Sequence, residues 1–350
     1  MHASVSTELC PIRRITGGHA HHWFGYYDKL QFDPPGRRCV GMAVDFEGRS
    51  PTADDEIAVG MVDLRDGDRW HELGSSRAWC WQQGCMLQWI PGRAGEVIWN
   101  DREDGRFVSH VCNVDAGTRR TLPAPVYALG PDGRFAIGTD FRRIHHMRPG
   151  YGYAGIEDPH RDLLAPDDAG IYRLDLNTGD TDMLLSIAEV AAVPNGRADT
   201  SGMLHYFNHL LFSPSAERFV FLHRCRGAKH EEGGWITRMF TAAADGTDLR
   251  VVDDYGRTSH FIWWDDATLL AWTRRPEGDG AFYRLDALGE RPAEPVGADV
   301  MTRDGHCSLL PGNEWIVIDT YGEMRELYLY HVPTGRRVDL AAFRHPPEYA

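Results

Sequence analysis

A histidine recurs at one fixed place in three successive segments of this 350-residue chain. Each stands five residues before a turn that opens a β-hairpin: His209 before Pro214, His260 before Asp265, and His306 before Pro311. A residue type that recurs at one point of a repeated unit occupies the same place in every copy, so copies around an axis bring the imidazoles together. Histidine is suited to acid–base catalysis and to metal binding. The spacing predicts a polar site with these histidines as candidate metal ligands; the alternative is a structural role between neighbouring inner strands.

The segments that carry these histidines share one plan: a short strand, a turn rich in proline, aspartate or glycine, and a second apolar strand. The turns are FDPPGRR, WIPGRAGE, LGPDGRF, FSPSAERF, WWDDATLL and LLPGNEW. They follow one another at intervals of roughly 40 to 57 residues, apart from one of 83 between Pro131 and Pro214. Four strands at that period are typical of propeller blades. We therefore predict an all-β fold, a single β-propeller domain over residues 1–350, with six blades visible and an insertion at about 140–170.

Propeller geometry places the loop before each innermost strand and the loop after each second strand on the same face. That face is predicted to collect many polar side chains, which are His19, His21, His22, Tyr27, Gln83, His145, His146, Arg148, Tyr151, His205, His209, Arg224, His260 and His306. His145 and His146 lie in a loop rich in glycine and proline, where an extended backbone would turn only one of them toward the pocket. Arg224 ends an apolar strand, and its guanidinium can grip a carboxylate with two parallel hydrogen bonds.

The composition narrows the range of partners. A formal net charge of -14 argues against nucleic acid and against an anionic membrane surface, whereas an acidic substrate would need a local cluster of arginine, histidine or metal. The seven cysteines form no CxxC pair, and no secretory signal or membrane-spanning run is visible, which favours a cytoplasmic protein with reduced thiols. No Walker loop, no GxGxxG after a strand and no GxSxG elbow is found, so neither a nucleotide cofactor nor a propeller-capped serine peptidase is indicated.

Four segments together resemble the propeller polysaccharide lyases, a group that includes oligogalacturonate lyases and ulvan lyases. The segments are GHAHHWFGYYDK, RIHHMRPGYGY, HLLFSPSAERFVFLHR, and SHFIWW followed by DGHCS, and the resemblance runs from about residue 17 to residue 340. It implies a seven-bladed propeller, of which the last blade would be missing or incomplete here. It also implies a carbon–oxygen lyase that cleaves uronate-containing glycans by β-elimination, with an acidic oligosaccharide as substrate.

The resemblance implies a role for each candidate residue. Arg224 and His209 would hold the uronate carboxylate, His145 or His146 would act as the base, and Tyr151 or Tyr27 would act as the acid. The remaining candidates would bind substrate (His22, Gln83 and Arg148, with Tyr27 where it is not the acid) or complete the pocket through a divalent metal such as Mn, Zn or Ca (His260 and His306, with His209). The Gln-x-x-His-x-His cluster of the oligogalacturonate lyases is absent from this sequence. Two alternatives remain open: a non-catalytic propeller that binds a glycan or a protein, and a metal-dependent hydrolase or isomerase.

Overall fold

The computed structural model describes residues 5–7, 10–227, 235–275 and 280–345. Its strands form six sheets, and in each sheet four consecutive strands pair antiparallel in chain order. Blade 1 contains β2 (His21–Trp23), β3 (Arg38–Val44), β4 (Ile57–Asp63) and β5 (Arg69–Ser76). Blade 2 contains β6 (Gln88–Trp89), β7 (Glu96–Glu103), β8 (Arg106–Asn113) and β9 (Thr118–Leu122). Blade 3 contains β10 (Ala128–Leu129), β11 (Phe135–Gly138), β12 (Gly170–Asp175) and β13 (Thr181–Ser186).

The second half of the chain supplies the other three blades. Blade 4 contains β14 (Met203–Phe212), β15 (Arg218–Gly227), β16 (Ile236–Ala243) and β17 (Arg250–Gly256). Blade 5 contains β18 (Phe261–Asp265), β19 (Thr268–Arg274), β20 (Gly280–Asp286) and β21 (Glu294–Pro295). Blade 6 contains β22 (Cys307–Leu309), β23 (Trp315–Asp319), β24 (Met324–His331) and β25 (Arg336–Arg344). The N-terminal strand β1 (Val5–Thr7) pairs parallel with β25 and gives this blade a fifth strand.

The predicted all-β propeller is confirmed with six blades. The seven blades implied by the resemblance are not confirmed, because all strands in the described ranges belong to six sheets. No helix among the described residues is both long and apolar enough to cross a membrane.

Apolar contacts between neighbouring blades form the core. In blade 4, β15 is buried without a break from Phe219 to Cys225, because both faces of the sheet pack against other blades. In blade 6, β23 alternates instead: Ile316 and Ile318 are buried and Val317 is half-buried. Separate core clusters join each blade to the next from blade 1 to blade 6, and none of those built from the described residues joins blade 6 to blade 1.

The insertion after β11 begins with the helix α1 (Phe141–Met147), whose first turn is capped by the Asp140 side chain, which accepts a hydrogen bond from the backbone N–H of Arg142. The extended backbone expected at His145 and His146 is wrong, because both residues belong to this helix. Successive side chains therefore differ by about 100° around the helix axis and do not point in opposite directions. A second short helix, α2 (Ile187–Ala191), follows β13.

Candidate functional site

A cavity of ≈ 730 Å³ opens on the face where the loops before the innermost strands meet the loops after the second strands. Its walls come from the β2–β3 connection, the segment before β6, the residues after α1, and blades 4 to 6. The side chains on which its chemistry depends are Tyr26, Arg148, Tyr151, His209, Arg224, Arg226, Trp235, Arg257, His260, Asp304 and Tyr321. Guanidinium groups therefore lie on the blade 4 side, and an imidazole, a carboxylate and a phenol lie on the side of blades 5 and 6.

His209 reaches the cavity because β14 is interrupted at this point. The β14–β15 pairing shifts register between Asn208 and Leu211, and His209 has a φ of 53°, which a non-glycine residue adopts only where its surroundings enforce it. Its backbone N–H donates a hydrogen bond of 2.8 Å to Tyr127 Oη. Burial holds the pKa of His209 well below its usual value, and the nearby Arg224 guanidinium adds to the shift. The imidazole is therefore neutral at pH 7.

Two histidines held by carboxylates converge on one tyrosine hydroxyl. His260 Nδ1 donates to Asp304 Oδ1 at 2.8 Å, and His306 Nδ1 donates to Asp319 Oδ2 at 2.8 Å. The Nε2 atoms of both rings lie 3.2 Å from Tyr321 Oη. A carboxylate on Nδ1 fixes the tautomer of each neutral ring, so each Nε2 faces the phenol as a hydrogen-bond acceptor. We call His260, Tyr321 and His306 the proton-transfer unit.

The proton-transfer unit has one proton fewer than its contacts require. The Tyr321 hydroxyl can donate to only one Nε2, and the second Nε2 then faces the phenol oxygen with lone pair against lone pair. A proton on one imidazole satisfies both contacts, since that ring donates to Tyr321 while Tyr321 donates to the other ring. Burial lowers the pKa of His260, although Asp304 opposes this effect, and burial raises the pKa of Tyr321 well above its usual value. In the resting protein, burial therefore favours the protonated phenol of Tyr321 and the neutral ring of His260.

The opposite wall of the cavity carries several guanidinium groups. Arg148, Arg224, Arg226 and Arg257 line it, and Asp304, the acidic residue in the lining, is bonded to His260. Arg224 is only 6% exposed, and its Nε has no hydrogen-bond partner in the described part of the chain. A buried guanidinium is costly unless an anion compensates it. The wall is therefore suited to an anionic ligand, as the overall charge of -14 had required of any acidic substrate.

Arg148 is fixed in place by the aromatic rings around it. Its guanidinium carbon lies 3.6 Å from the ring centroid of Tyr151 and 4.1 Å from that of Trp235, and Nη2 donates to Tyr151 Oη at 2.8 Å. Burial lowers the pKa of Arg148, and the nearby Arg224 guanidinium lowers it further. Burial also raises the pKa of Tyr151. Two guanidiniums that repel each other are thus held together at one end of the cavity, where a carboxylate would relieve the repulsion.

Several residues predicted from the sequence lie together in this cavity. Tyr151, Arg148, Arg224, His209 and His260 line it directly. A sixth predicted residue, His306, does not line the cavity itself but contacts Tyr321, which does.

Other predicted residues do not line the cavity. The ring of His22 packs edge-on against Trp70, at 4.9 Å between centroids. Tyr27 Oη donates to the carbonyl of Phe261 at 2.7 Å, so its hydroxyl serves the structure. The buried Gln83 accepts a hydrogen bond from Tyr127 Oη at 2.9 Å. His145 and His146 lie on α1, outside the lining.

Sequence reasoning missed parts of the site that neighbouring positions could have indicated. Arg226 lies two residues beyond Arg224 on β15 and therefore on the same face of the strand. Asp304 lies two residues before His306, and Tyr26 directly precedes Tyr27, which the sequence predicts as a site residue. Arg257 follows the outermost strand of blade 4, and no pattern in the sequence marks its approach to the cavity.

The arrangement of possible metal ligands does not follow the prediction. In the described ranges, one set of three possible metal ligands has its ligand atoms within 4.8 Å of one another: Asp101, Glu103 and His110. These residues lie in blade 2, outside the cavity lining. The histidines predicted to bind a metal form no such group there. The cavity's donors therefore do not fit a resident metal ion, although the three residues in blade 2 have suitable atoms.

Comparison with known proteins bears on the fold. No family model matches the chain, and no curated protein does. An oligogalacturonate lyase in complex with manganese superposes with a TM-score of 0.62 at 14% identity, over 95% of this chain and 79% of that chain. The fold resembles that of the oligogalacturonate lyases. A second one, from Vibrio parahaemolyticus, gives 0.62 at 12% identity, over 94% and 80% of the two chains.

Other propellers share the architecture less closely. The β-propeller domain of the Trilobed protease from Pyrococcus furiosus has a TM-score of 0.50 at 9% identity, over 89% of this chain and 83% of that chain. At such low identities these likenesses establish the fold alone, so the function must be argued from the cavity.

Proposed function

We propose that this chain is a lyase that cleaves uronate-containing oligosaccharides or polysaccharides by β-elimination. One observation carries the proposal: a single cavity holds a buried arginine with no carboxylate partner among the described residues, opposite a tyrosine between two carboxylate-held histidines. Elimination from a uronate requires both parts. A cation must neutralise the carboxylate so that the proton on C5 becomes acidic, and an acid–base pair must move that proton.

The arginines would bind the carboxylate. Arg224, with Arg148 beside it, can accept the anion in a partly water-excluded wall, where charge-assisted hydrogen bonds are strong. As the C5–H bond breaks, negative charge spreads onto the carboxylate, and the guanidiniums stabilise it. In this proposal His209 is a neutral neighbour of the carboxylate, since its pKa is well below the usual value.

The proton-transfer unit would perform the acid–base step. The proton from C5 moves to Nε2 of one neutral histidine, the C4–O4 bond breaks as the C4–C5 double bond forms, and the Tyr321 hydroxyl gives its proton to O4. The imidazolium beside Tyr321 then returns a proton to the phenolate, which restores the unit without a net change in protons. Asp304 and Asp319 stabilise the imidazolium during this exchange. This assignment replaces His145 or His146 as base and Tyr27 as acid, since none of the three lines the cavity.

The test is an ultraviolet assay for the unsaturated uronate product, with pectic, ulvan-type and glucuronate–rhamnose oligosaccharides as substrates. In Tyr321→Phe, we expect turnover to fall by about 10²–10⁴-fold, because general acid–base catalysis contributes that much. Binding of substrate should change little, because the arginine wall is intact. Tyr255→Phe, in the outer strand β17, is the matched control and should retain full turnover.

The results separate the two main functions. A product signal that disappears in Tyr321→Phe supports the lyase. Binding of uronate oligosaccharides without product, in wild-type protein across the panel, would instead identify a glycan-binding propeller and refute the proposal.

A further inference from the structure

The irregular point in β14 is stabilised by a contact from another blade. The pairing of β14 with β15 shifts register between Asn208 and Leu211, and the two residues between them form a β-bulge. One of them is His209, whose φ of 53° persists only where the surrounding structure enforces it. Its backbone N–H donates to Tyr127 Oη, 2.8 Å away in the segment that leads into β10 of blade 3. The bulge therefore depends on a hydrogen bond from outside its own sheet.

A single hydroxyl group links three blades at this point. A phenol has one proton, so Tyr127 Oη accepts from the His209 N–H and donates its own proton to Gln83 Oε1, at 2.9 Å. Tyr127 and Gln83 are both buried, so water does not compete for these bonds. The Tyr127 ring is fixed as well, because it stacks on Phe141 at 5.7 Å between centroids. The one phenol proton therefore sets the direction of both hydrogen bonds between Gln83 and His209.

The backbone held in this way determines where the imidazole lies. The His209 ring lines the cavity beside the rings of Tyr26 and Tyr151, at 5.4 Å and 6.3 Å between centroids. A β-bulge changes the direction of the side chains that it carries, and a return to regular pairing would change it again. The position of the imidazole in the cavity therefore rests on the Tyr127 hydroxyl.

We infer that Tyr127 and Gln83 are positioning residues that hold the His209 ring against the uronate carboxylate. The inference rests on the proposed function for the identity of that ligand. A neutral imidazole has one N–H donor, so it strengthens the binding of a carboxylate only when this N–H points at the anion. The carboxylate is charged in the bound substrate as well as in the transition state, so a misplaced ring should weaken binding more than it slows turnover. Gln83, which the sequence predicts to bind substrate, thus acts through Tyr127 and His209 and not by direct contact.

The first measurement requires no ligand. In protein with isotope-labelled histidine, the NMR signals of the His209 ring are identified by their loss in His209→Ala. We expect Tyr127→Phe, which keeps the ring and removes only the hydroxyl, to shift these signals. Gln83→Met removes the acceptor of the phenol proton and should shift them as well. The matched control is Tyr153→Phe, which removes another buried hydroxyl, one that accepts from Asn100 Nδ2 at 3.0 Å, and should leave the signals in place.

The second measurement is calorimetry with the uronate oligosaccharide of the panel that wild-type protein binds most tightly. We expect Tyr127→Phe to raise the Kd about tenfold, the effect of losing one hydrogen bond to a charged group, while kcat stays within about twofold. His209→Ala should raise the Kd to a similar extent. Combining the two changes should raise it no further, because both remove the same contact. Tyr153→Phe should bind as wild-type protein does.

The outcomes separate this inference from the proposed function. Ring signals of His209 that do not move in Tyr127→Phe, or that move equally in Tyr153→Phe, would overturn the positioning role, as would losses of affinity that multiply in the double variant. Shifted signals and a shared loss of affinity, without any unsaturated product, would retain the positioning role and refute the lyase. Product formation with an affinity that Tyr127→Phe leaves unchanged would do the reverse. Wild-type protein that neither binds nor cleaves any oligosaccharide of the panel would refute both.

Discussion

The sharpest prediction compares two buried arginines that differ only in their partners. Arg143 is 1% exposed and donates to the carbonyls of His205, His160, Leu163 and Leu164 and to Asp158 Oδ2, at 2.7–3.1 Å. Arg224 is 6% exposed, and its Nε has no partner in the described ranges. If Arg143 serves the fold and Arg224 serves a ligand, replacing each by methionine should have opposite consequences. Methionine keeps an unbranched stem of similar shape and removes the charge.

The expected magnitudes follow from these contacts. Arg143→Met leaves the buried Asp158 carboxylate without its cation and removes one donor from each of four carbonyls, which should lower the free energy of unfolding by about 3–5 kcal/mol. Arg224→Met leaves no described carboxylate without a partner, and it removes a charge that is buried away from water. The free energy of unfolding should therefore stay the same or rise. The same change removes two charge-assisted hydrogen bonds to the substrate, of about 1.5–3 kcal/mol each. A loss of about 3 kcal/mol or more corresponds to at least a 10²-fold lower kcat/KM.

Two assays check both halves of this prediction. Thermal unfolding at one scan rate gives the stabilities of wild-type, Arg143→Met and Arg224→Met proteins, and the ultraviolet assay gives kcat/KM for those that fold. If Arg224→Met melts as far below wild type as Arg143→Met does, the Arg224 charge is satisfied within the protein. The argument that it is held for a ligand would then be wrong. Full turnover in Arg224→Met would refute the carboxylate grip directly.

Two further predictions concern protons and metal. Nδ1 of the buried His205 forms a hydrogen bond of 2.8 Å with Nε2 of His223. Burial lowers the pKa of His205 to about 4. The pKa of His205 in the folded protein thus lies below its unfolded value of about 6.5. Between these two pH values the unfolded chain binds more protons than the folded protein does. The free energy of unfolding therefore falls by about 3 kcal/mol as the pH is lowered through that window. Melting temperatures between pH 7 and pH 4 should show this fall, and His205→Gln should reduce it; a pH-independent melting temperature would contradict it. A chelator should leave turnover unchanged, because the described cavity residues bring no three metal ligands together. A loss that manganese restores would show that this view of the cavity is wrong.

The sequence was sufficient for the architecture because a propeller repeats one local pattern. The turns at fixed intervals mark where each inner hairpin closes, and all six inner hairpins are found at those turns. The same regularity located His209, His260 and Arg224, since equivalent positions in each blade face the same end of the ring. Position within a strand is a local property, and it can be read from alternation and turn chemistry.

Residues outside the repeated strands could not be placed in the same way. His22 lies on the short strand β2 and Tyr27 in the connection that follows it, and their orientation depends on partners distant in sequence, Trp70 and Phe261. The glycine- and proline-rich segment around His145 predicts an extended backbone, but those glycines and prolines follow the helix instead of interrupting it. A single sequence contains no signal for these long-range contacts, so a loop residue's distance from the site had to come from the structure.

The inner strands also explain why the histidines of the site lie on one side of the ring. His209 and His306 stand five residues before the prolines of their turns, Pro214 and Pro311. The equivalent place in blades 1 to 3 is held by Lys29, Met86 and Val126. Met86 and Val126 are fully buried in the core, and Lys29 is bonded to Asp28 at 3.0 Å. Met86 and Val126 therefore offer no polar group to a ligand, and the Lys29 ammonium is paired with a carboxylate. The polar positions fall on one half of the ring, beside the arginines at the end of β15, so an anionic sugar can meet the cationic wall and the proton-transfer unit together.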